Sequence, residues 1–354
     1  MNSWGTKFRL SIFGESHGKA IGIILDGVPS GISLDLEKIR QEMARRAPGK
    51  SPLSTPRNEE DDVQIVSGFF DGKTTGTPLT VMIENTDTRS KDYQPELLRP
   101  GHADFTGFCK YGESHDYRGG GHFSGRITAP LVFAGAVAKQ ILKEKGIFVG
   151  AHISQIGEIA DTPFDKVNLD KETLLLSANQ EFPVLDSRAG ESMQKQILDA
   201  QRDKDSIGGM VECGVIGLPA GIGDPFFDSV ESRISSMMFS IPAVKGIEFG
   251  DGFNLGSMKG SCANDAFEVV DRTVRTKTNH NGGINGGITN GMPLVFRVVI
   301  KPTPSIGKKQ ETVNLKTMEN IEFSVQGRHD PCIVHRAVSV VEAGTAIALL
   351  DMIL

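Results

Sequence analysis

The stretch Leu25-Asp26-Gly27-Val28-Pro29-Ser30-Gly31 closes a short β-prone run. It has a counterpart far along the chain in Ile216-Gly217-Leu218-Pro219-Ala220-Gly221, which closes another. Two further segments recur in the same order. Val66 to Gly72 (VSGFFDG) resembles Phe249 to Phe253 (FGDGF), and Thr75-Gly76-Thr77-Pro78-Leu79 resembles Asn290-Gly291-Met292-Pro293-Leu294. Turn dipeptides are short and recur by chance, so each pair alone is either a coincidence of Gly/Pro turns or the trace of a duplication. The shared order favours duplication. Two similar sheet halves would then flank shared helices in one α+β unit, because each sheet must bury a face.

Outward from that repeat, Phe8 to Phe13 and Ala20 to Leu25 read as strands joined through Gly-Glu-Ser-His-Gly, with Ser16 and His17 in the connection. Ser33 is placed to cap a helix from Leu34 to Arg46, stopped by Pro48 and Gly49. Asp62 to Phe70 and Pro78 to Glu84 read as strands around the turn DGKTTG, and Leu294 to Ile300 as a third. Ala103 to Lys110 and Pro130 to Lys145 read as helices. The second is apolar on most faces, which assigns it to the interior. Another apolar helix begins near Val334.

A formal charge of −6 and a pI near 5.8 argue against a general nucleic-acid or membrane-surface binder, which carries a basic excess. Any basic site is therefore local. No apolar run approaches the ~18 residues of a membrane helix, and the N-terminal sequence lacks the features of a secretory signal. Cys109, Cys213, Cys262 and Cys332 form no CxxC pair and no zinc spacing. The expectation is a cytoplasmic protein with free thiols and no metal. Its 41 glycines exceed the roughly 25 expected at the usual frequency, and the excess falls in loops.

The run RGGGHFSGRITA, Arg118 to Ala129, concentrates chemistry. Gly119, Gly120 and Gly121 remove every Cβ, so a ligand can approach the backbone closely, and Arg118 and Arg126 bracket the loop with forks suited to phosphate or carboxylate. Read by itself the loop is an anion site or a Gly-rich turn between solvated arginines. His122 and Ser124 favour the first. His17, His102, His115, His122, His280 and His329 all lie beside polar or Gly residues outside the apolar segments, a placement suited to proton transfer. There is no HExxH, no His pair at helical spacing and no G-x-S-x-G, which demotes metal and acyl-transfer chemistry. Asn279 to Gly287 and Lys301-Pro302-Thr303-Pro304-Ser305 could each wrap a phosphate, and Asp330 beside Arg328 would stay ionised and able to accept a proton.

Together these segments resemble the chorismate synthase family. GESHGKAIGIILDGVPSGI from Gly14, GHADFTGFCKYGESHDYRGGGHFSGRITA from Gly101 and GRHDPCIVHRAV from Gly327 carry the resemblance. RRAPG, NTDTRSKDY, SIPAVKGIEFGDGF, NHNGGINGG and KPTPS lie between them in family order. The resemblance implies one domain over residues 1–354, a β-α-β sandwich (helices between two antiparallel sheets) with internal pseudo-twofold duplication, and a homotetramer. It implies a lyase that converts 5-enolpyruvylshikimate 3-phosphate to chorismate and phosphate by a 1,4-trans elimination using reduced FMN. NADPH would serve only indirectly as reductant, and a separate flavin reductase is an implied partner.

By the same resemblance His17 would protonate the departing phosphate, His102 would protonate the reduced flavin, and Asp330 would take the flavin N5 proton. Ser16, Arg46, Arg99, Ser124, Arg126 and Arg328 would face the substrate, with Arg57 and Arg118 as weaker matches. FMN would rest on His122, Phe123, Ser124, Ala243, Gly286, Lys301, Pro302, Thr303, Pro304, Ser305 and Arg328, and a nicotinamide contact would fall to Arg46. The chain departs from the family pattern where His122-Phe123-Ser124 replaces Arg-Ser-Ser. Pro242 stands where an Asn is common, Pro52 where a basic residue is common, and Ala47 where an arginine is common.

Overall fold

The computed structural model describes residues 1–49, 53–54, 59, 61–87, 93–325 and 330–354. In the first part of the chain lie β1 (Ser3–Trp4), β2 (Arg9–Gly14), β3 (Ala20–Asp26), β4 (Val63–Ser67), a ribbon of β5 (Phe69–Phe70) and β6 (Lys73–Thr74), and β7 (Leu79–Glu84). They form an antiparallel sheet in the order β1-β2-β3-β7-β4. Further on come β8 (Phe148–Ile156), β9 (Ile159–Ala160), β10 (Gly209–Ile216) and β11 (Val244–Phe249). The ribbons β12 (Phe267–Val270) with β13 (Thr273–Thr276) and β14 (Ile284–Asn285) with β15 (Ile288–Thr289) precede β16 (Leu294–Ile300), and β17 (Gln310–Asn314) pairs with β18 (Glu319–Phe323). The second sheet has the order β11-β16-β10-β8-β9, again antiparallel. The helices are α1 (Leu36–Arg46), α2 (Asp104–Tyr111), α3 (Thr128–Glu144), α4 (Lys171–Leu176), α5 (Ser187–Arg202), α6 (Val230–Met238), α7 (Gly260–Ala263) and α8 (Val334–Ile353).

The apolar sequence of α3 and α8 explains their place. α3 packs on β3 and β7 of the first sheet, α8 packs on β8 and β10 of the second, and the two helices pack on each other. Small residues permit the close approach: a Cβ on Gly135 would overlap Ala343 across the helix pair. One apolar cluster takes in Ile21, Ile23, Leu79 and Val81 from one sheet, Val211, Val215, Phe296 and Val298 from the other, and Phe133, Val137, Val341 and Ile347 between. Each such side chain, fully buried, contributes about 1.5–3 kcal/mol.

The corners after β3 and β10 match bond for bond. Thr74 Oγ1 donates to Pro29 O (2.6 Å) and accepts from Ile32 N (3.0 Å), while Thr289 Oγ1 donates to Pro219 O (2.7 Å) and accepts from Ile222 N (2.9 Å). Thr75 N reaches Gly68 O and Asn290 N reaches Gly283 O, each at 3.0 Å. This corrects the second sequence match. By hydrogen bonding the partner of Gly68 to Gly72 is Gly283 to Gly287, whereas Phe249 ends β11, where it pairs with Phe296.

Other boundaries also moved. Asp35, not Ser33, caps α1, because its carboxylate accepts from Glu37 N and Lys38 N at 3.1 Å. The strand expected over Asp62 to Phe70 breaks at Gly68, whose φ of 80° turns the chain into the β5–β6 ribbon. At the end of α8, Asp351 Oδ1 accepts from three successive amides, Thr6 N, Lys7 N and Phe8 N, at 2.7–2.8 Å, and Oδ2 pairs with Arg233. Among the described residues no helix is long and apolar enough to cross a membrane.

Candidate active site

The glycine loop is where the candidate groups meet. Gly119, Gly120 and Gly121 have φ of 60°, 84° and 53°, a left-handed run that residues with a Cβ rarely adopt. A Cβ on Gly119 would overlap the His17 ring, and one on Gly120 would stand 3.2 Å from Cε1 and Nε2 of His102. Gly119 and Gly120 therefore let one backbone pass close to two histidines, while a Cβ on Gly121 would overlap the Asp116 carbonyl. The loop is held to β2 by Ser16 N to Gly121 O (3.1 Å) and by His122 Nδ1 to Gly14 O (2.8 Å). His17 and Ser16 are buried, and Tyr93 meets the His17 ring edge-on at 5.3 Å.

Beside this loop lies a buried ionic cluster of Arg46, Arg126, Glu59 and Asp61. The Ser124 side chain caps the turn into α3 by accepting from Arg126 N (3.3 Å), which fixes where Arg126 begins. Arg126 Nε donates to Asn85 Oδ1 (3.0 Å), Nη2 meets Glu59 (2.6 Å), and Nη1 pairs with Asp61. Arg46 pairs with the other oxygen of the same Asp61 carboxylate, Nε to Oδ2 being 3.1 Å. Burial draws the Arg46 guanidinium down to about 10, against the upward pull of Glu59 and Asp330, so it stays charged at neutral pH. Asp330 lies in the same field and pairs with Arg336 at 2.6 Å.

A third group sits at the start of α2. Asp104 binds Arg99 through Nε (2.8 Å) and Nη2 (2.7 Å), and His102 through Nδ1 (2.7 Å). Burial would raise its carboxyl, but the hydrogen bonds from Arg99 and His102 hold it well below the usual carboxylate range. Arg99 Nη1 points to Ser305 Oγ at 3.5 Å, and Lys301 Nζ donates to Gly101 O, so the Lys301 to Ser305 segment closes over the His102 turn. Burial and the nearby Lys245 lower Lys301. Ala243, at φ 73°, accepts from Lys301 N (3.0 Å).

The structure thus brings together Ser16, His17, His102, His122 and Ser124 around the glycine loop, Arg46 with Arg126, and Arg99 with Ser305 and Lys301. Phe123, partly exposed, packs on Gly107 and lies 6.3 Å from the Tyr111 ring. Gly286 stands apart, exposed at the tip of the β14–β15 ribbon. Arg118 turns outward to Asp116 at 2.7 Å. Arg328, His329, Arg57 and Pro52 lie outside the described residues, and so does the expected pairing of Asp330 with Arg328; among the described residues Asp330 pairs with Arg336. The Asn279 to Gly287 segment is no open phosphate loop at its start. Its amides are filled by Asp265, at His280 N (2.8 Å) and Asn281 N (3.1 Å), and by Asn279 Oδ1 at Gly283 N (2.7 Å).

Sequence reasoning passed over Asp61, Glu59, Asn85 and Asp104. Each is a carboxylate or amide that orients a recognised arginine or histidine, and Asp104 carried a visible signal, two residues beyond His102 and five beyond Arg99. Among the described residues no group of three His, Cys, Asp or Glu side chains could hold a metal ion.

Residues 8–354 match the family described as chorismate synthase. The chain belongs to the chorismate synthase family. A chorismate synthase of Dehalococcoides mccartyi is 45% identical over 100% of this chain and 96% of its own length, and one of Chitinophaga pinensis is 48% identical over 100% and 97%. An archaeal relative of that name from Methanocaldococcus jannaschii is 45% identical over 100% and 96%. A solved structure titled as chorismate synthase superposes with a TM-score of 0.78 at 30% identity, covering 99% of this chain and 92% of that one. The activity is that of the family, a lyase step in the shikimate pathway to aromatic amino acids.

Proposed function

We propose that this chain converts 5-enolpyruvylshikimate 3-phosphate to chorismate and phosphate with reduced FMN, using the groups gathered at the glycine loop. The observation that carries the reading is the passage of Gly119 and Gly120 between His17 and His102, which sets two proton-transfer groups on one bare stretch of backbone beside two buried arginines. The residues fit a flavin phosphate and ring: the glycine loop bares its backbone beside His17 and His102, and Thr303 Oγ1 in the Lys301 to Ser305 segment is buried without a partner. His122, Phe123, Ser124, Ala243, Gly286, Lys301 to Ser305 and Arg328 would hold FMN. Bound there, reduced FMN supplies a transient electron to an elimination with no net redox change.

The chain's own residues bind, orient and move protons. Arg46, Arg99, Arg126 and Arg328, with Ser16 and Ser124, hold the anionic substrate. His17 gives a proton to the departing phosphate oxygen. His102 holds a proton on the opposite side of the glycine loop, and Asp330, in its ion pair with Arg336, accepts one. NADPH enters only as an indirect reductant, and a separate flavin reductase is the expected partner.

The same reading takes the chain as one domain over residues 1–354 and as a β-α-β sandwich built by duplication. The matched Thr74 and Thr289 corners support it, as does the succession β2-β3-β7-β4 beside β8-β10-β16-β11. That reading also takes the protein as a cytoplasmic homotetramer; bare apolar surface at Phe226, Phe227 and Phe253 and on the β12–β13 ribbon at Phe267 and Val269 offers area for contact between copies. Purified protein given reduced FMN and substrate without oxygen should release phosphate and form chorismate. Absence of both products under those conditions overturns the assignment.

A further inference from the structure

We propose that Asp104 is a positioning residue for this reaction, one that fixes His102 with its proton on Nδ1 and presents Nε2 to the glycine loop. The inference deepens the reading of His102 as a proton donor and rests on it.

An acidic residue in the first turn of a helix is ordinarily a cap or a partner for the helix dipole. Asp104 lies in the first turn of α2 but makes no cap, because no side-chain hydrogen bond caps that helix. Its oxygens turn back to the preceding turn instead. Oδ2 accepts from Arg99 N (2.9 Å) and Arg99 Nε (2.8 Å), and Oδ1 accepts from Arg99 Nη2 (2.7 Å) and His102 Nδ1 (2.7 Å). Four bonds fill the acceptor sites of an ionised carboxylate.

The tautomer follows from donor and acceptor chemistry. A carboxylate only accepts, so the Nδ1 facing it carries hydrogen. Arg99 Nη2 lies 3.1 Å from the same Nδ1 and also only donates, so the two are neighbours through their shared oxygen and not partners. With Nδ1 committed, Nε2 is the atom free to hold or release a proton. The neighbour on that edge is Gly120, where a Cβ would stand 3.2 Å from Nε2. The absent side chain leaves the edge open. Asp104 thereby serves two ends at once, since the same grip aims Arg99 Nη1 at Ser305.

Asp104→Asn keeps the shape but can present an amide N–H to Nδ1, which traps the opposite tautomer. In long-range 15N spectra, assigned with His102→Gln, the native protein should show hydrogen on Nδ1 and Asp104→Asn should move it to Nε2. The kcat of Asp104→Asn should fall by about 10² or more, with KM for substrate changed far less. Asp104→Glu, tested beside it with circular dichroism to confirm folding, should recover part of both signals. An unchanged tautomer and kcat in a folded Asp104→Asn protein overturns the proposal. A changed tautomer with His102→Ala turning over at the native rate overturns the reading of His102 as a proton donor, and with it any role of Asp104 in the reaction.

Discussion

Arg45 and Arg46 are neighbours on α1 and enter two different buried ionic clusters. Arg45 meets Glu342 (2.7 Å) and Glu42 (2.9 Å), and Lys139 shares both carboxylates. That cluster ties α1, α3 and α8 together, and Glu342 also accepts from Ala151 N of β8 at 3.1 Å. Burial would raise the Glu342 carboxyl, but Arg45 and Lys139 hold it well below its ordinary range. Arg46 meets Asp61, whose φ of 55° is strained for an aspartate and whose other oxygen is given to Arg126. The two clusters contain the same chemistry. They differ in what surrounds them: one is locked among regular elements, the other lies beside the glycine loop and the proton-transfer groups. A buried ion pair binds a fold together in the first setting; in the second, under the proposed function, it would keep Arg46 and Arg126 oriented for a ligand.

The sharpest way to break this comparison is Glu342→Ala. Removing one partner of a buried cluster strands the others, so stability should fall by about 3–5 kcal/mol in denaturant titration. A loss under about 1 kcal/mol would deny the cluster its structural role. Next, Asp330→Asn and His17→Ala should each cut turnover by about 10² or more while FMN binding, followed by flavin fluorescence, stays near native. Unchanged turnover removes the residue from the mechanism. Arg126→Ala should act mainly on binding, raising KM roughly 10- to 100-fold, the scale of one or two charge-assisted hydrogen bonds. Its Tm should drop less than that of Glu342→Ala, and an equal drop would erase the distinction between the two faces of α1.

The smallest effect concerns His152, fully buried between Asp161 and Glu212 at 2.9 Å each. Burial pulls its pKa down, yet the hydrogen bonds it donates to the two carboxylates leave it raised above 6.5. A raised folded-state value means the contribution is complete below about pH 6.5 and lost as pH rises through the higher value. The unfolding midpoint should therefore decline above neutral pH, and His152→Gln should flatten that slope. An identical slope in the variant would assign the decline elsewhere.

The matching corner turns are legible because such turns need Gly and Pro at fixed spacing: Thr75 to Leu79 and Asn290 to Leu294 share those letters, and their first amides make equivalent bonds. VSGFFDG and FGDGF share residue types but not hydrogen bonds, so letters alone pair them wrongly. In the site, the histidines and arginines were visible as chemistry on polar loops. Asp61, Glu59 and Asn85 were not, since nothing local distinguishes a carboxylate that will orient an arginine 65 positions away. Asp35 displaced Ser33 as a cap for a similar reason: both are good caps, and only the course of the backbone decides between them.

Asp351 carries a consequence for the order of synthesis. Three amides at Thr6, Lys7 and Phe8 converge on a carboxylate 343 to 345 positions further along. On the ribosome, that early segment must wait for Asp351 to emerge before its approach to β2 is clamped. Its final geometry is set only after both sheets and the helices between these positions have been made.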